Sequence, residues 1–246
     1  MIAESTRKVL DLIDDPADAG EKTLRRVSGL FRYNTWLWEQ IAGFTGQRVL
    51  EVGAGIGTMT RFFLDRQLIL ATDVDARYLA RLPHTFAIWP NVIVRLLDLN
   101  ERFAEQLAEY RLDTVLCLNV LEHIEDDEAV LSDFSHLLSS GGRVVLIVPA
   151  LQRLYGEIDK AIGHYRRYEK GEIIAKFERA GFRVEETRFL NLLGLPGWYL
   201  NSCLLKRKIV PGLQARLNDY LVPLLRLERY FTLPWGMSLL AVGRKP

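Results

Sequence analysis

Three stretches of this 246-residue chain have residue types and spacing suited to chemistry. The first is "VLEVGAGIGTMT" (49–60), a glycine-rich turn after an apolar run, with Glu51 two residues before its first glycine. Such turns aim backbone N–H groups at a ligand, usually a phosphate. The second is "NVLEHIEDD" (119–127), where His123 stands beside Glu122. The third is "DKAIGHYRRY" (159–168), which gathers His164, Tyr165, Arg166 and Arg167 in one short segment. Histidine is the side chain best matched to proton transfer near neutral pH, and arginine grips carboxylates or phosphates. His123 and His164 are therefore the candidate catalytic bases, and Tyr165, Arg166 and Arg167 the candidate substrate contacts. The plainer alternatives are a His123 that packs or caps the next helix, and arginines that pair with Glu157, Asp159 or Glu169.

The glycine turn discriminates between ligands. Gly53, Ala54, Gly55 and Gly57 let the backbone turn sharply and approach a ligand closely. A dinucleotide fingerprint G-x-G-x-x-G wants its third glycine at 58, where this chain has Thr58. Glu51 would also face a pyrophosphate. Two unit charges ~4 Å apart at an effective dielectric of about 20 repel by about 4 kcal/mol. The same carboxylate attracts a cation. A nucleoside with an ammonium and a sulfonium but no phosphate meets both demands, and S-adenosylmethionine is such a ligand.

The elements that position these residues alternate from Gln47 onward. Strands are expected at 48–52, 68–73, 92–97, 114–119 and 143–149, each rich in Val, Ile and Leu. Helix-like segments fall at 57–66, 76–82, 101–110 and 126–139. Strands buried on both faces with helices between them imply a parallel sheet with right-handed crossovers, whose ligands bind beyond the strands' carboxyl ends. An arm over 1–20 and a helix from about Glu21 to Ala42 precede this core. After Pro149 come a helix near 170–180, a strand at 182–190, some forty residues of mixed character and a last strand at 236–245. The expected organisation is one domain over 1–246: a helical cover (1–46), a cofactor-binding core (47–150) and an acceptor-side half (151–246) with an insertion at about 190–235.

In order and spacing, "VLEVGAGIG…ATDVD…LLDLN…LNVLEHI…GGRVVLIVP" resembles the motif series of the class I S-adenosylmethionine-dependent methyltransferases, of the type 11/12 kind, over about residues 47–150. The resemblance implies an α/β fold with a doubly wound, mostly parallel sheet and an antiparallel last strand. It implies that Asp73 takes the ribose hydroxyls, with Val74 touching the adenine. Asp98 would accept from the adenine amino group, with Leu99 beside the ring. Asn119 and Val120 would line the methionine end, and Tyr33, with Asn34, would belong to a segment that lids the cofactor. Some family members with an E-x-x-E-H version of the fourth motif bind a divalent metal; Asn119 replaces the first acid here, and no metal is expected.

Composition narrows the partners. Lys+Arg is 32 and Asp+Glu 31, a net charge of +1, which argues against nucleic-acid binding through bulk charge. No N/D-P-P-Y motif for flipped bases is present. Cys117 and Cys203 lack zinc-type spacing, and Cys117 falls in an apolar run, where a buried thiol is expected. The uncharged run 189–205 is interrupted by Asn191, Gly194, Pro196, Gly197 and Asn201, short of the ~20 apolar residues a bilayer span needs. With no signal-peptide pattern at the N-terminus, a soluble cytoplasmic protein is expected. The insertion carries Lys206, Arg207 and Lys208 among leucines and aromatics; a lid, peripheral membrane contact, a dimer surface or core packing all fit.

The expected activity is methyl transfer, with O-methylation of a small-molecule, lipid or saccharide-linked acceptor preferred because histidines crowd the cleft. The alternatives are a nicotinamide-dependent oxidoreductase and a non-catalytic cofactor-binding module.

Overall fold

The computed structural model describes residues 16–246, so the expected arm over 1–20 lies mostly outside the described residues. Seven strands form one sheet in the order β3-β2-β1-β4-β5-β7-β6. They are β1 (Arg48–Val52), β2 (Leu68–Asp73), β3 (Val92–Leu96), β4 (Thr114–Leu118), β5 (Arg143–Pro149), β6 (Arg183–Leu190) and β7 (Ser238–Arg244). The first five pair in parallel; β7 lies antiparallel between β5 and β6. The expected doubly wound sheet with an inserted antiparallel last strand is the observed one.

Successive strand residues feed opposite faces, as the pleat requires. Leu50, Leu70, Val115 and Leu146 pack one face with Phe134 and Phe177. Val49, Ile69, Leu116 and Ile147 pack the other with Trp36 and Phe63. That two-sided burial is why β1, β2, β4 and β5 read as apolar runs and were legible to within a residue. Cys117 is fully buried among them.

Five helices matter to the site: α1 (Pro16–Ser28), α2 (Phe31–Ile41), α3 (Asp127–Leu137), α4 (Lys170–Arg179) and α5 (Gly212–Tyr220). The helix expected over 21–42 is two helices. The chain leaves helical geometry at Leu30 (φ −86°, ψ 78°), after Gly29, and the Asn34 side chain donates to the Val27 carbonyl at 2.9 Å across the bend. The helix expected over 57–66 is absent, leaving only a 3₁₀ turn at Thr60–Phe62. Gly53, Gly55 and Gly57 all sit at positive φ, which delays helical geometry, and Thr60 turns inward to bond Glu51.

The segment between β6 and β7 folds over the carboxyl edge of the sheet. A short helix, Gly194–Trp198, runs into a π-helical turn, Tyr199–Leu204; α5 and the turn Val222–Leu225 follow. Asp219 accepts from the Tyr33 N–H at 2.9 Å, and Arg226 pairs with Glu39 at 2.6 Å, so the insertion clasps α2. At the return, Gly236 lies against the Leu190 backbone, where a Cβ has no room. Among the described residues, no helix is long and apolar enough to cross a membrane.

Candidate active site

A cavity of about 390 Å³ opens at the carboxyl ends of β1, β4 and β5. Glu51, Gly53, Ala54 and Asn119 line one end; Glu122, His123 and His164 line the other. Tyr33, Asn34 and Leu37 of α2 and Gln214, Ala215 and Asn218 of α5 supply walls.

At the glycine end, Glu51 is buried and accepts from the Thr60 hydroxyl at 2.5 Å. Burial pushes its carboxyl up to about 7; the Thr60 bond opposes that rise and nearby Asp73 adds to it. Asp73, at the end of β2, braces the turn. One oxygen accepts from Gly55 N–H at 2.8 Å and the other from Asp75 N–H at 2.9 Å, leaving a lone pair on each oxygen. Gly53 and Gly57, at φ +72° and +80°, pack so tightly on Val120 and Phe86 that a Cβ would collide. Asp98 follows β3, its Oδ1 accepting from the Asn100 N–H and side-chain amide. Val74 is exposed and Leu99 is buried.

This end fits the expected ligand by its charge. Among the described residues lining the cavity, Arg167 is the only lysine or arginine, and Asp159 already holds it. Nothing cationic waits for a diphosphate, whereas a buried carboxyl waits for a cation.

At the other end the polypeptide brings distant segments together. The Tyr165 N–H donates to the Glu122 carbonyl at 2.8 Å, drawing the 162–168 loop, which follows the short helix Glu157–Ala161, across the end of β4. His164 Nδ1 lies 2.9 Å from Asp159 Oδ1, and His164 Nε2 lies 3.7 Å from Glu122 Oε1. A carboxylate only accepts, so Nδ1 carries a proton and the other nitrogen is directed at Glu122. Arg167 bonds both Asp159 oxygens and stacks on Trp198, 4.3 Å from its ring centre. Burial pushes the Asp159 carboxyl up, but His164 and Arg167 outweigh it and hold the carboxyl below its ordinary range.

Glu122 is fully buried, and neither carboxyl oxygen has a hydrogen-bond partner within the protein. Burial lifts its carboxyl to about 8, with Arg167 opposing and Asp159 assisting. His123 meets His164 edge to face at 4.6 Å and is pushed down to about 4, chiefly by burial and then by His164. The ligating atoms of Glu122, His123 and His164 all lie within 4.8 Å of one another.

Both candidate bases therefore reach one cavity, as do Tyr33, Glu51, Gly53, Ala54 and Asn119. Gly55, Gly57, Asp73, Val74, Asp98, Leu99 and Val120 lie outside its lining, on the glycine turn and the strand ends beside it. Of the candidate substrate contacts, Arg167 lines the cavity and pairs with Asp159, while Arg166 pairs with Asp127 at 3.0 Å and bonds the Glu125 carbonyl outside that lining. Tyr165 is exposed and does not line it either. Glu122 and Asp159 were missed as site residues. Their carboxylates sit among six others between 122 and 159, and only the folded chain shows which two face the histidines.

A family profile described as "Methyltransferase domain" matches residues 50–144. A highly reducing polyketide synthase of Strobilurus tenacellus is 32% identical over 41% of this chain and 4% of its own length. A ubiquinone biosynthesis O-methyltransferase of Xylella fastidiosa is 28% identical over 58% of this chain and 63% of its own length. The chain thus spans less than two thirds of these curated relatives. A solved S-adenosylmethionine-dependent methyltransferase from Archaeoglobus fulgidus superposes with a TM-score of 0.58 at 18% identity, covering 86% of this chain and 92% of that one. Residues 50–144 match the methyltransferase-domain profile and the sheet has the Rossmann-like fold of solved S-adenosylmethionine-dependent methyltransferases; a domain and fold of this kind imply S-adenosylmethionine as cofactor.

Proposed function

We propose that the chain uses this domain to move a methyl group from S-adenosylmethionine to a hydroxyl of an apolar small-molecule, lipid or saccharide-linked acceptor. One observation carries the reading: a single cavity joins the glycine turn and its buried Glu51 carboxyl to a histidine–carboxylate cluster. Glu51 holds the cofactor's amino-acid end, Asp73 its ribose, and Val74, Asp98 and Leu99 its adenine. Asn119 and Val120 border the methionine portion, and Tyr33 covers it. When bound, the cofactor supplies a methyl group already activated on sulfur. The protein's share is to bring the acceptor oxygen into line with it and to take the proton, effects that together span several orders of magnitude in rate. His164 suits the proton-taking role, because Asp159 fixes its Nδ1 proton and leaves Nε2 to accept at the cavity. His123, kept neutral by burial, is a second acceptor beside it. The Xylella relative's name favours a hydroxylated acceptor.

A second reading has its own support. The partnerless carboxyl of Glu122, flanked by two imidazoles, could hold a divalent cation at the same place. The test is transfer of radiolabelled methyl from S-adenosylmethionine to a panel of phenols, catechols and hydroxylated isoprenoid lipids, with and without chelator. The base reading expects chelator-insensitive transfer that falls about 10²–10⁴-fold in His164→Gln, with cofactor affinity unchanged. Loss of transfer on chelation, restored by magnesium or zinc, would favour the cation. Transfer to carbon or nitrogen acceptors alone would remove the O-methylation reading.

A further inference from the structure

The insertion between β6 and β7 buries one set of apolar residues and exposes a second set to solvent. In α5 and the turn after it, Leu213, Leu217, Tyr220 and Leu224 recur at helical spacing along one stripe and are 81%, 53%, 71% and 52% exposed. The inward side is mixed: Gln214 and Asn218 line the cavity beside Ala215, and Val222 and Leu225 are buried in the core. A surface helix ordinarily keeps its large apolar residues on the buried side, so a second, outward apolar stripe stands out. The neighbouring π-helical turn repeats the feature: Tyr199, Leu200, Leu204 and Leu205 are exposed, as are Tyr230, Phe231 and Trp235 later in the segment.

Charge on this segment is one-sided. Lys206, Arg207, Lys208 and Arg216 are exposed on it. Its two acids, Asp219 and Glu228, are both turned inward. Asp219 accepts from the Tyr33 N–H, and Glu228 accepts from the N–H groups of Asn191 and Leu192. The outward face is therefore apolar, aromatic and cationic. A second copy would bring cations against cations. An anionic bilayer surface supplies both complements: phosphate charge for the basic knot and an acyl boundary for leucines, with tyrosine and tryptophan rings at headgroup depth.

From this we infer that the outward face of residues 199–235 docks on anionic lipid. The docked face and the cavity wall are opposite sides of α5, so an acceptor dissolved in the bilayer would meet the cavity close to the membrane surface. The surface itself does not depend on which chemistry the cavity performs.

Flotation of the full chain with phosphatidylcholine vesicles, with and without phosphatidylglycerol, tests it. Binding is expected to the phosphatidylglycerol vesicles and to weaken with added salt. Replacing Lys206, Arg207 and Lys208 together by Ala lowers the partition coefficient about tenfold or more. Leu213→Ser with Leu217→Ser lowers it as well, while circular dichroism and S-adenosylhomocysteine binding stay as in the parent. Three outcomes would overturn the inference: no binding to either vesicle, binding that ignores the basic residues, or a concentration-dependent dimer that the two serine substitutions dissolve while vesicles stay bare.

Discussion

Glu51 and Glu122 are carboxyls displaced in the same direction by the same leading cause, burial, which for Glu122 outweighs the opposing charge of Arg167. For Glu122 the consequence can be measured in the free protein. The folded carboxyl titrates near 8 and the unfolded one near its ordinary 4.5. Between those values the folded state keeps a proton that the unfolded state has released, so stability declines as pH rises through this window. Denaturant titrations between pH 4.5 and 8 are expected to show that decline, and Glu122→Gln to flatten its upper part, above pH 7. Glu51 adds to the slope only up to about 7. An unchanged slope in the variant would mean that Glu122 is solvated rather than sealed in the cavity. At this scale the turn and the strand-end acids were legible because backbone chemistry demands glycine and carboxylate at set places. Asp159 was not. Its role is set by His164 and Arg167, which its sequence neighbourhood names only as possible partners, and by the depth at which the fold buries all three.

At the scale of elements, the glycine turn replaces the first half of an expected helix. Gly57 stands at φ +80°, and a Cβ there would lie 2.7 Å from the Phe86 ring. Gly57→Ala is expected to cost about 1–3 kcal/mol through backbone strain and displaced packing, read as a lowered denaturation midpoint. Wild-type stability in that variant would show that the turn can relax. Strands buried on both faces announce themselves in sequence; helical cover does not. The break at Leu30 depends on Asn34 reaching back to Val27, and the path of 190–235 depends on clasps to Tyr33 and Glu39, more than 180 residues away. Hydrophobic pattern alone misleads there, because the exposed stripe of α5 has the spacing of a core-facing one.

Over the whole molecule, three layers meet around the cavity: the sheet edge with its glycine turn, the 162–168 loop beyond β5, and a cover made jointly by α2 and α5. The division of labour is electrostatic. One end carries the Glu51 carboxyl and, among the described lining residues, no unpaired lysine or arginine; the other carries Glu122, two imidazoles and an Arg167 already paired with Asp159. That contrast separates a methyl donor from a dinucleotide, and everything proposed for the acceptor end presupposes it. The decisive measurement is calorimetric titration of the intact chain with S-adenosylhomocysteine and, in parallel, with NAD. Tight binding of the first is expected, weakened by ~1.5–3 kcal/mol in Asp73→Ala, and none of the second. Binding of NAD without S-adenosylhomocysteine would contradict the electrostatic reading of the glycine turn.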